Sequence, residues 1–155
     1  LEPLAPGEMV RSVVEEFEAQ PASRSRHVQI SISPGLPEID ADREALGRAV
    51  WNLLDNAVKY SPESTTVHAE VAMDGGRLAI RVSDEGPGIP IAEQKQIFRK
   101  FVRGGQAKAR GVKGTGIGLA MARHIVKGHG GEIRLQSELN RGSTFTILLP
   151  VRRLP

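Results

Sequence analysis

The segment Asn52–Tyr60 has the sequence NLLDNAVKY, and the interpretation of the whole chain starts from it. Apolar residues recur in and before this segment at spacings of three and four, which predicts a helix with one face toward a core. These residues are Leu46, Val50, Leu53, Leu54 and Ala57. Either Asp40 or Asp42 is suited to cap the start of the helix, and Ser61-Pro62 ends it because proline cannot continue a helix.

A polar face lies beside this apolar stripe, because Asn52, Asn56, Lys59 and Tyr60 follow the same helical spacing. An asparagine carbonyl is a neutral oxygen ligand that Mg²⁺ accepts together with water and phosphate oxygens. A lysine adds a positive charge within reach of a phosphate. Taken alone, the face fits either a magnesium and phosphate site or an ordinary solvated helix surface.

The composition is that of a globular domain and excludes several classes of function. A length of 155 residues suits one domain, with 39% hydrophobic and 25% charged residues. The net charge is only +3 and aromatic residues make up 4%, so we predict no nucleic-acid partner. The absence of cysteine excludes disulfides, thiolate nucleophiles and Cys-based zinc sites. No apolar run reaches the length of a membrane span, so we predict no direct membrane contact.

The order of the predicted elements indicates the architecture. Besides the central helix, helices are predicted at residues 9–17, 92–98 and 117–127. Strands are predicted at residues 27–33, 66–73, 77–84, 132–136 and 143–149. Hairpins imply antiparallel pairing and one-sided helices imply a single helical layer, which predicts a two-layer α/β (α+β) sandwich. Its mixed, mostly antiparallel sheet would have about five strands packed on about three helices.

The composition of the two ends of the chain predicts where the domain begins and ends. Residues 1–7 contain two prolines and a glycine, which predicts a linker, followed by a domain at 8–150 and a tail at 151–155. The first residue is Leu1 rather than methionine, so we expect the chain to be a piece of a longer protein.

Two glycine-rich segments are candidates for ligand contact. The segment 84–89 (DEGPGI) follows a predicted strand, so the carboxylate of Asp84 could accept a hydrogen bond from an exocyclic amine. The segment 114–119 (GTGIGL) opens a predicted helix, where backbone amides and the helix dipole favour an anion. The alternatives are a plain Asp-x-Gly turn and a flexible loop before a capped helix. Neither segment matches a P-loop or a dinucleotide-binding fingerprint.

Four spaced motifs occur in a characteristic order. They are Asn-x-x-x-Asn-Ala-x-Lys-Tyr, Asp-x-Gly-x-Gly-Ile, Phe-x-x-Phe and Gly-Thr-Gly-x-Gly-Leu. Their order resembles the ATP-binding catalytic domain of two-component sensor histidine kinases. This family has the Bergerat fold and belongs to the superfamily of gyrase, heat-shock chaperone and mismatch-repair ATPases. The resemblance covers about residues 1–150 and implies ATP and Mg²⁺ as cofactors.

The resemblance implies a role for each matched residue of the first two motifs. Asn56 would coordinate Mg²⁺, Asn52 would support the phosphate site, and Lys59 and Tyr60 would approach the phosphates and the nucleotide. Asp84 would hold the adenine amino group. The rest of its motif, which would let the base approach closely, comprises Gly86, Gly88 and Ile89.

The glycine-rich residues 103–116 would form a flexible lid over the nucleotide, next to the later motifs. Phe98 and Phe101 would pack the base of the lid, and Arg103 and Lys113 would reach the terminal phosphates. The segment that would cradle phosphate at the start of a helix comprises Gly114, Thr115, Gly116, Ile117, Gly118 and Leu119. The residues assigned to catalysis by this resemblance are Asn52, Lys59 and Arg103. Thr144 would either bond near the adenine through water or pack as an ordinary strand residue.

The resemblance also distinguishes phosphoryl transfer from hydrolysis. Hydrolysing members of the superfamily carry a water-activating glutamate where this chain has Asn52, and an amide cannot act as a general base. We therefore expect a protein-histidine kinase domain that donates the γ-phosphoryl group to a histidine. The alternatives are a nucleotide-sensing pseudokinase module and an ATP-hydrolysing member of the superfamily.

The resemblance places the phosphoacceptor elsewhere. The family's acceptor histidine precedes an acidic residue, and none of the four histidines here does. We therefore expect the acceptor on an upstream dimerisation domain of the parent protein, and a response-regulator receiver domain as the next partner. The parent is expected to be a homodimeric sensor, this domain to be cytoplasmic, and the isolated chain to be a monomer.

Overall fold

The computed structural model describes residues 1–20, 27–62, 65–94, 97 and 117–152. The helices in these ranges are α1 (Pro6–Glu18), α2 (Arg43–Tyr60), α3 (Ile91–Gln94) and α4 (Ile117–Gly128). The strands are β1 (Glu2–Leu4), β2 (Val28–Ile32), β3 (Ile39–Ala41), β4 (Val67–Asp74), β5 (Arg77–Asp84), β6 (Glu132–Glu138) and β7 (Gly142–Pro150).

Five of the strands form one sheet in the order β2-β4-β5-β7-β6. The β2–β4 pair is parallel and the other three pairs are antiparallel. The β4–β5 hairpin forms at Asp74-Gly75-Gly76, where Gly75 has a φ of 63° that favours glycine. The predicted mixed, mostly antiparallel five-stranded sheet is confirmed.

The helices cover one face of this sheet, and the other face is polar. Alternate residues of β4 (Val67, Ala69 and Val71) are buried with the apolar faces of α1 and α2 in a single core. On the opposite face, Arg81 forms ion pairs of 2.9 Å with both Glu70 and Asp74. This arrangement is the predicted two-layer sandwich. Within the described ranges, no helix is long and apolar enough to cross a membrane.

The central helix α2 forms as its sequence pattern predicts. Asp42, rather than Asp40, is its N-cap, and its Oδ1 accepts a hydrogen bond of 3.1 Å from the Ala45 amide. The apolar stripe is fully buried and comprises Leu46, Val50, Leu53, Leu54 and Ala57. The Asn52 side of the helix is therefore left for contacts outside the core.

The two ends of the chain differ from the prediction. Residues 1–7 are not an extended linker, because β1 pairs antiparallel with β3, Pro6 begins α1, and Leu4 is only 8% exposed. In the predicted tail, the Arg152 amide donates a hydrogen bond of 2.9 Å to the Glu38 carbonyl. Strands of three residues are too short to show a period in the sequence, so this small second sheet was not predicted.

We predict that Leu4→Ala destabilises the fold by about 2 kcal/mol, because it removes a buried side chain and leaves a cavity. Leu1→Ala is the matched control, since Leu1 is 77% exposed and its truncation leaves no cavity. Urea unfolding of both variants measures the difference. Equal stabilities for the two variants would mean that residues 1–7 are a linker after all.

Candidate functional site

The polar face of α2 contacts the first turn of α4. The Asn52 amide donates a hydrogen bond of 3.2 Å from Nδ2 to the Gly118 carbonyl. A Cβ on Gly118 would lie 3.7 Å from Cγ of Asn52, so the helices approach closely at this point. The structure therefore brings together two of the predicted site residues from motifs far apart in the sequence.

A histidine joins the same two helices at their other ends. Nε2 of His129 accepts a hydrogen bond of 3.0 Å from the Asp42 amide, at the N-cap of α2. Its Nδ1 lies 2.8 Å from the Ile125 carbonyl in the last turn of α4. Because a carbonyl only accepts and an amide N–H only donates, these bonds require the neutral Nδ1–H tautomer. His129 thus satisfies a backbone group on each helix.

Asn56 and Lys59 follow Asn52 along α2 with different surroundings. Lys59 Nζ forms a 2.9 Å ion pair with Oδ2 of Asp55, and both side chains are nearly half exposed. Such exposed pairs contribute little to stability, so this one does not prevent Lys59 from meeting another anion. Asn56 is half-buried, and its amide has no hydrogen-bond partner among the residues that the structure describes.

Asp84 is a carboxylate buried at the end of β5, on the helix-covered face of the sheet. Its side chain is 7% exposed, and its Oδ1 accepts a hydrogen bond of 2.8 Å from the Gly86 amide. The backbone of Ser143, its partner residue on β7, also donates to the carboxylate. Burial raises the pKa of Asp84 above its ordinary value of 3.8, and these two hydrogen bonds only partly offset the effect.

The glycines around Asp84 make close backbone contacts within the protein. Gly88 has a φ of 78°, and a Cβ there would overlap the Glu138 carbonyl oxygen of β6. Gly142 has a φ of 95°, and a Cβ there would overlap the carbonyl oxygen of Asp84. The sequence suggested that Gly88 lets a ligand approach, whereas its immediate neighbour in the structure is the β6–β7 hairpin.

Thr144 does not lie on the same side of the sheet as Asp84. Its Oγ1 is 2.9 Å from Oγ of Ser83, on the face that the helices leave open. Side chains alternate along a strand, so the preceding residue, Ser143, lies on the Asp84 face and is 6% exposed. Thr144 therefore lies on the face opposite Asp84, as an ordinary strand residue would, and its contact with a base stays a prediction.

Other predicted site residues fall into three groups. The described ones are Ile89, whose amide donates to Ser137 at 2.7 Å, and Leu119, half-buried against the core. The predicted residues outside the described ranges are Phe98, Phe101, Arg103, Lys113, Gly114, Thr115 and Gly116. The predicted lid over residues 103–116 also lies outside them. For Tyr60 and Ile117 only the helical backbone is described.

The hydroxyls of Ser137 and Ser143 beside Asp84 were not predicted as site residues. Their Oγ atoms are 2.8 Å apart, on paired positions of β6 and β7. The apolar residues 145, 147 and 149 of β7 alternate in step with Ser143, so this pattern could have placed Ser143 on the core face. The apolar residues 133 and 135 of β6 alternate in step with Ser137 in the same way, but its contact with Ile89 shows in no local pattern.

A family model described as histidine kinase-, DNA gyrase B-, and HSP90-like ATPase matches residues 41–153. The chain belongs to this ATPase family. The matched range includes α2, the Asp84 loop and α4, so the site above lies entirely within it. The resemblance inferred from the four motifs is confirmed, as is the interpretation of the chain as an ATP-binding catalytic domain of the histidine-kinase type.

Curated relatives within the family are sensor kinases. The sensor-like histidine kinase SenX3 of Mycolicibacterium smegmatis is 38% identical over 144 residues, which cover 91% of this chain and 38% of that protein. The alginate biosynthesis sensor protein KinB of Pseudomonas aeruginosa is 33% identical over 144 residues, 93% of this chain and 24% of that protein. This chain thus spans less than half the length of these relatives.

Solved structures of the family share the fold. The mycobacterial sensor histidine kinase MprB superposes with a TM-score of 0.85 at 31% identity, covering 99% of this chain and 100% of that one. Full-length ShkA in complex with AMPPNP superposes with a TM-score of 0.83 at 29% identity, covering 99% of this chain and 32% of that one.

We predict that Asp84→Asn stabilises the protein near neutral pH. Because the folded-state pKa is raised, the stabilising contribution of Asp84 is complete below 3.8 and is lost as the pH rises through the folded pKa. The neutral variant has no such loss, so its advantage should grow as the pH rises from about 4 through the raised pKa of Asp84. Urea unfolding at several pH values measures it. A difference between the two proteins that stays constant or shrinks with rising pH would contradict the assignment.

Proposed function

We propose that this chain binds Mg-ATP and donates the γ-phosphoryl group to a histidine on a separate dimerisation domain. An aspartate of a response-regulator receiver domain would then receive the group. The observation that supports this proposal most directly is the chemistry of the Asn52 side chain and its hydrogen bond. Its side chain is an amide whose donor is already engaged with the Gly118 carbonyl at 3.2 Å.

Donation rather than hydrolysis follows from the groups near the phosphate side of the site. Activation of water needs a general base, and the neutral amide of Asn52 has no useful proton affinity. Asp55 is the nearest carboxylate in sequence, and it is engaged in a 2.9 Å ion pair with Lys59. A histidine imidazole is a stronger nucleophile than water and needs less activation. The site therefore suits a phosphoryl donor better than an ATPase.

The donor set of α2 fits a magnesium ion that is bound together with a nucleotide. In the described ranges, no group of three or more His, Cys, Asp or Glu side chains could hold a metal by itself. Mg²⁺ is commonly held by one or two protein oxygens plus phosphates and water, so one amide oxygen is a sufficient protein contribution. Asn56 would hold the ion, which neutralises phosphate charge when bound. Lys59 would add a second positive charge next to Asn56 on the helix.

Recognition of the base is assigned to Asp84. The Gly86 and Ser143 amides each occupy part of the carboxylate, and an ionised carboxylate has about four acceptor positions. The remaining positions suit the exocyclic amine of adenine. Intact Asn56 and Asp84 argue against a pseudokinase that has lost nucleotide binding.

The acceptor histidine is proposed to lie outside this chain. The four histidines are followed by valine, alanine, isoleucine and glycine, so none stands before an acidic residue. The relatives SenX3 and KinB are more than twice as long as the matched region, which leaves room for an acceptor domain and a sensor. We propose a homodimeric sensor kinase as the parent, with this domain on its cytoplasmic side and monomeric when isolated.

We predict that Asn56→Ala removes the dependence of nucleotide binding on magnesium. For the wild-type chain, ATP affinity should fall about tenfold when Mg²⁺ is replaced by a chelator, because phosphate charge is then uncompensated. For the variant, the two affinities should be nearly equal. Calorimetric titration with ATP in both buffers measures the effect.

Arg48→Ala is the control for Asn56→Ala, since Arg48 lies on the exposed side of the same helix and forms a 3.7 Å ion pair with Glu44. It should bind ATP with the wild-type response to magnesium. An Asn56→Ala protein that keeps this response would remove Asn56 from the metal site and leave the ion without an assigned protein ligand.

A further inference from the structure

A pair of hydroxyls, from the half-buried Ser137 and the buried Ser143, links the Asp84 loop to the β6–β7 hairpin. Oγ of Ser137 accepts a hydrogen bond of 2.7 Å from the Ile89 amide. The same atom lies 2.8 Å from Oγ of Ser143 and 3.2 Å from the Gly142 carbonyl. One side chain on β6 therefore meets three backbone or side-chain groups, from the loop and from β7.

The direction of each hydrogen bond is fixed by the backbone partners. A serine hydroxyl has one proton and two lone pairs. The Ile89 amide can only donate and the Gly142 carbonyl can only accept, so the proton of Ser137 points to Gly142. Ser143 must then donate its own proton to Ser137. The hydrogen-bonding capacity of Ser137 is fully used, and Ser143 retains its lone pairs as acceptors.

Further contacts attach the loop to the same hairpin. The Asn140 amide, in the turn of the hairpin, donates a hydrogen bond of 2.7 Å to the Pro87 carbonyl. Nε2 of Gln94 donates to the Ile89 carbonyl at 2.9 Å and lies 3.4 Å from the Ser137 carbonyl. The loop is thus held by hydrogen bonds to the Pro87 carbonyl and to both the amide and the carbonyl of Ile89. Ser137 connects the loop to β7, because its hydroxyl contacts both.

The two segments that Ser137 holds are the two that hold Asp84. Gly86, in the loop, and Ser143, on β7, both donate backbone hydrogen bonds to the buried carboxylate. A carboxylate recognises a base well only if its oxygens are held in place before binding. We propose that Ser137 is a positioning residue for nucleotide recognition, which fixes the Asp84 carboxylate through the loop and through Ser143. This inference rests on the proposed role of Asp84.

The arrangement favours a 6-aminopurine over a 6-oxopurine. With the Gly86 and Ser143 amides on Asp84 and the Ser143 proton on Ser137, the side chains of Asp84 and Ser143 offer only acceptors to a ligand. An amino group can donate to such acceptors, whereas a carbonyl oxygen cannot. Sites built to hydrogen-bond a substrate N–H discriminate strongly against analogues that lack it.

The test measures discrimination between two nucleotides, because a purely structural role would not change it. The wild-type chain and Ser137→Ala are titrated with Mg-ATP and with the triphosphate of purine riboside, which lacks the 6-amino group. We expect Ser137→Ala to weaken ATP binding about fivefold and to change binding of the analogue less than about twofold. Ser137→Thr, which keeps the hydroxyl on a strand, should keep the wild-type ratio of ATP affinity to analogue affinity.

Ser83→Ala is the matched control on the other face of the sheet. Ser83 also forms a hydroxyl pair, at 2.9 Å with Thr144, so both alanine variants lose the same kind of bond. Ser83→Ala should leave the ratio of the two affinities unchanged. If Ser137→Ala fails to fold, Gln94→Ala replaces it. Gln94→Ala removes the hydrogen bond to the Ile89 carbonyl and should lower the ratio of ATP affinity to analogue affinity about twofold.

Two outcomes overturn the proposal. The first is that the ratio of ATP affinity to analogue affinity is unchanged in Ser137→Ala, or in Gln94→Ala if that variant is used instead. The second is that Ser83→Ala lowers this ratio by the same factor. Asp84→Asn separates this inference from the proposed function. If Asp84→Asn weakens ATP binding but Ser137→Ala does not, only the role of Ser137 is wrong. If Asp84→Asn binds ATP as tightly as the wild-type chain, the proposed base site itself is wrong.

Discussion

A carboxylate that is buried at the end of a strand needs hydrogen-bond donors, and Asp84 obtains them from the backbone. Its carboxylate accepts from the Gly86 amide and from the backbone of Ser143, so the turn after β5 and the start of β7 meet at one side chain. Gly142 has to be a glycine because it packs directly on the Asp84 backbone. These hydrogen bonds do not fully offset the desolvation of the carboxylate, so the pKa of Asp84 stays raised. Shifted pKa values of this kind are common at functional sites.

The second constraint is the double use of α2. One side of the helix fills the core with fully buried leucines, while the next side carries Asn52, Asn56 and Lys59. Because the core fixes the rotation of the helix, it also fixes the direction in which these polar residues face, toward the proposed phosphate site. The contacts of α4 at Gly118 and His129 then fix the position of that helix against α2. Packing and function therefore depend on the same helix.

The sequence predicted those features whose signals are local. The five strands of the main sheet and the stripe of α2 each show a period within one segment, and the structure has them at nearly the predicted bounds. The small β1–β3 sheet lacks such a signal because its strands have three residues each. Thr144 was predicted from the resemblance alone, which does not consider which face a strand residue occupies. Ser137 contacts Gly142, five residues away, and Ile89, 48 residues away, and a pattern within one segment cannot show the second contact.

The most direct test of the account is a calorimetric titration of the chain with ATP in the presence of Mg²⁺. If Asn52 leaves the site without a general base, each injection should give a binding heat that saturates, and the signal should return to baseline. That result would describe a phosphoryl donor in the absence of its acceptor. Heat flow that continues after saturation would mean that water is being activated, and the assignment as a donor would be wrong.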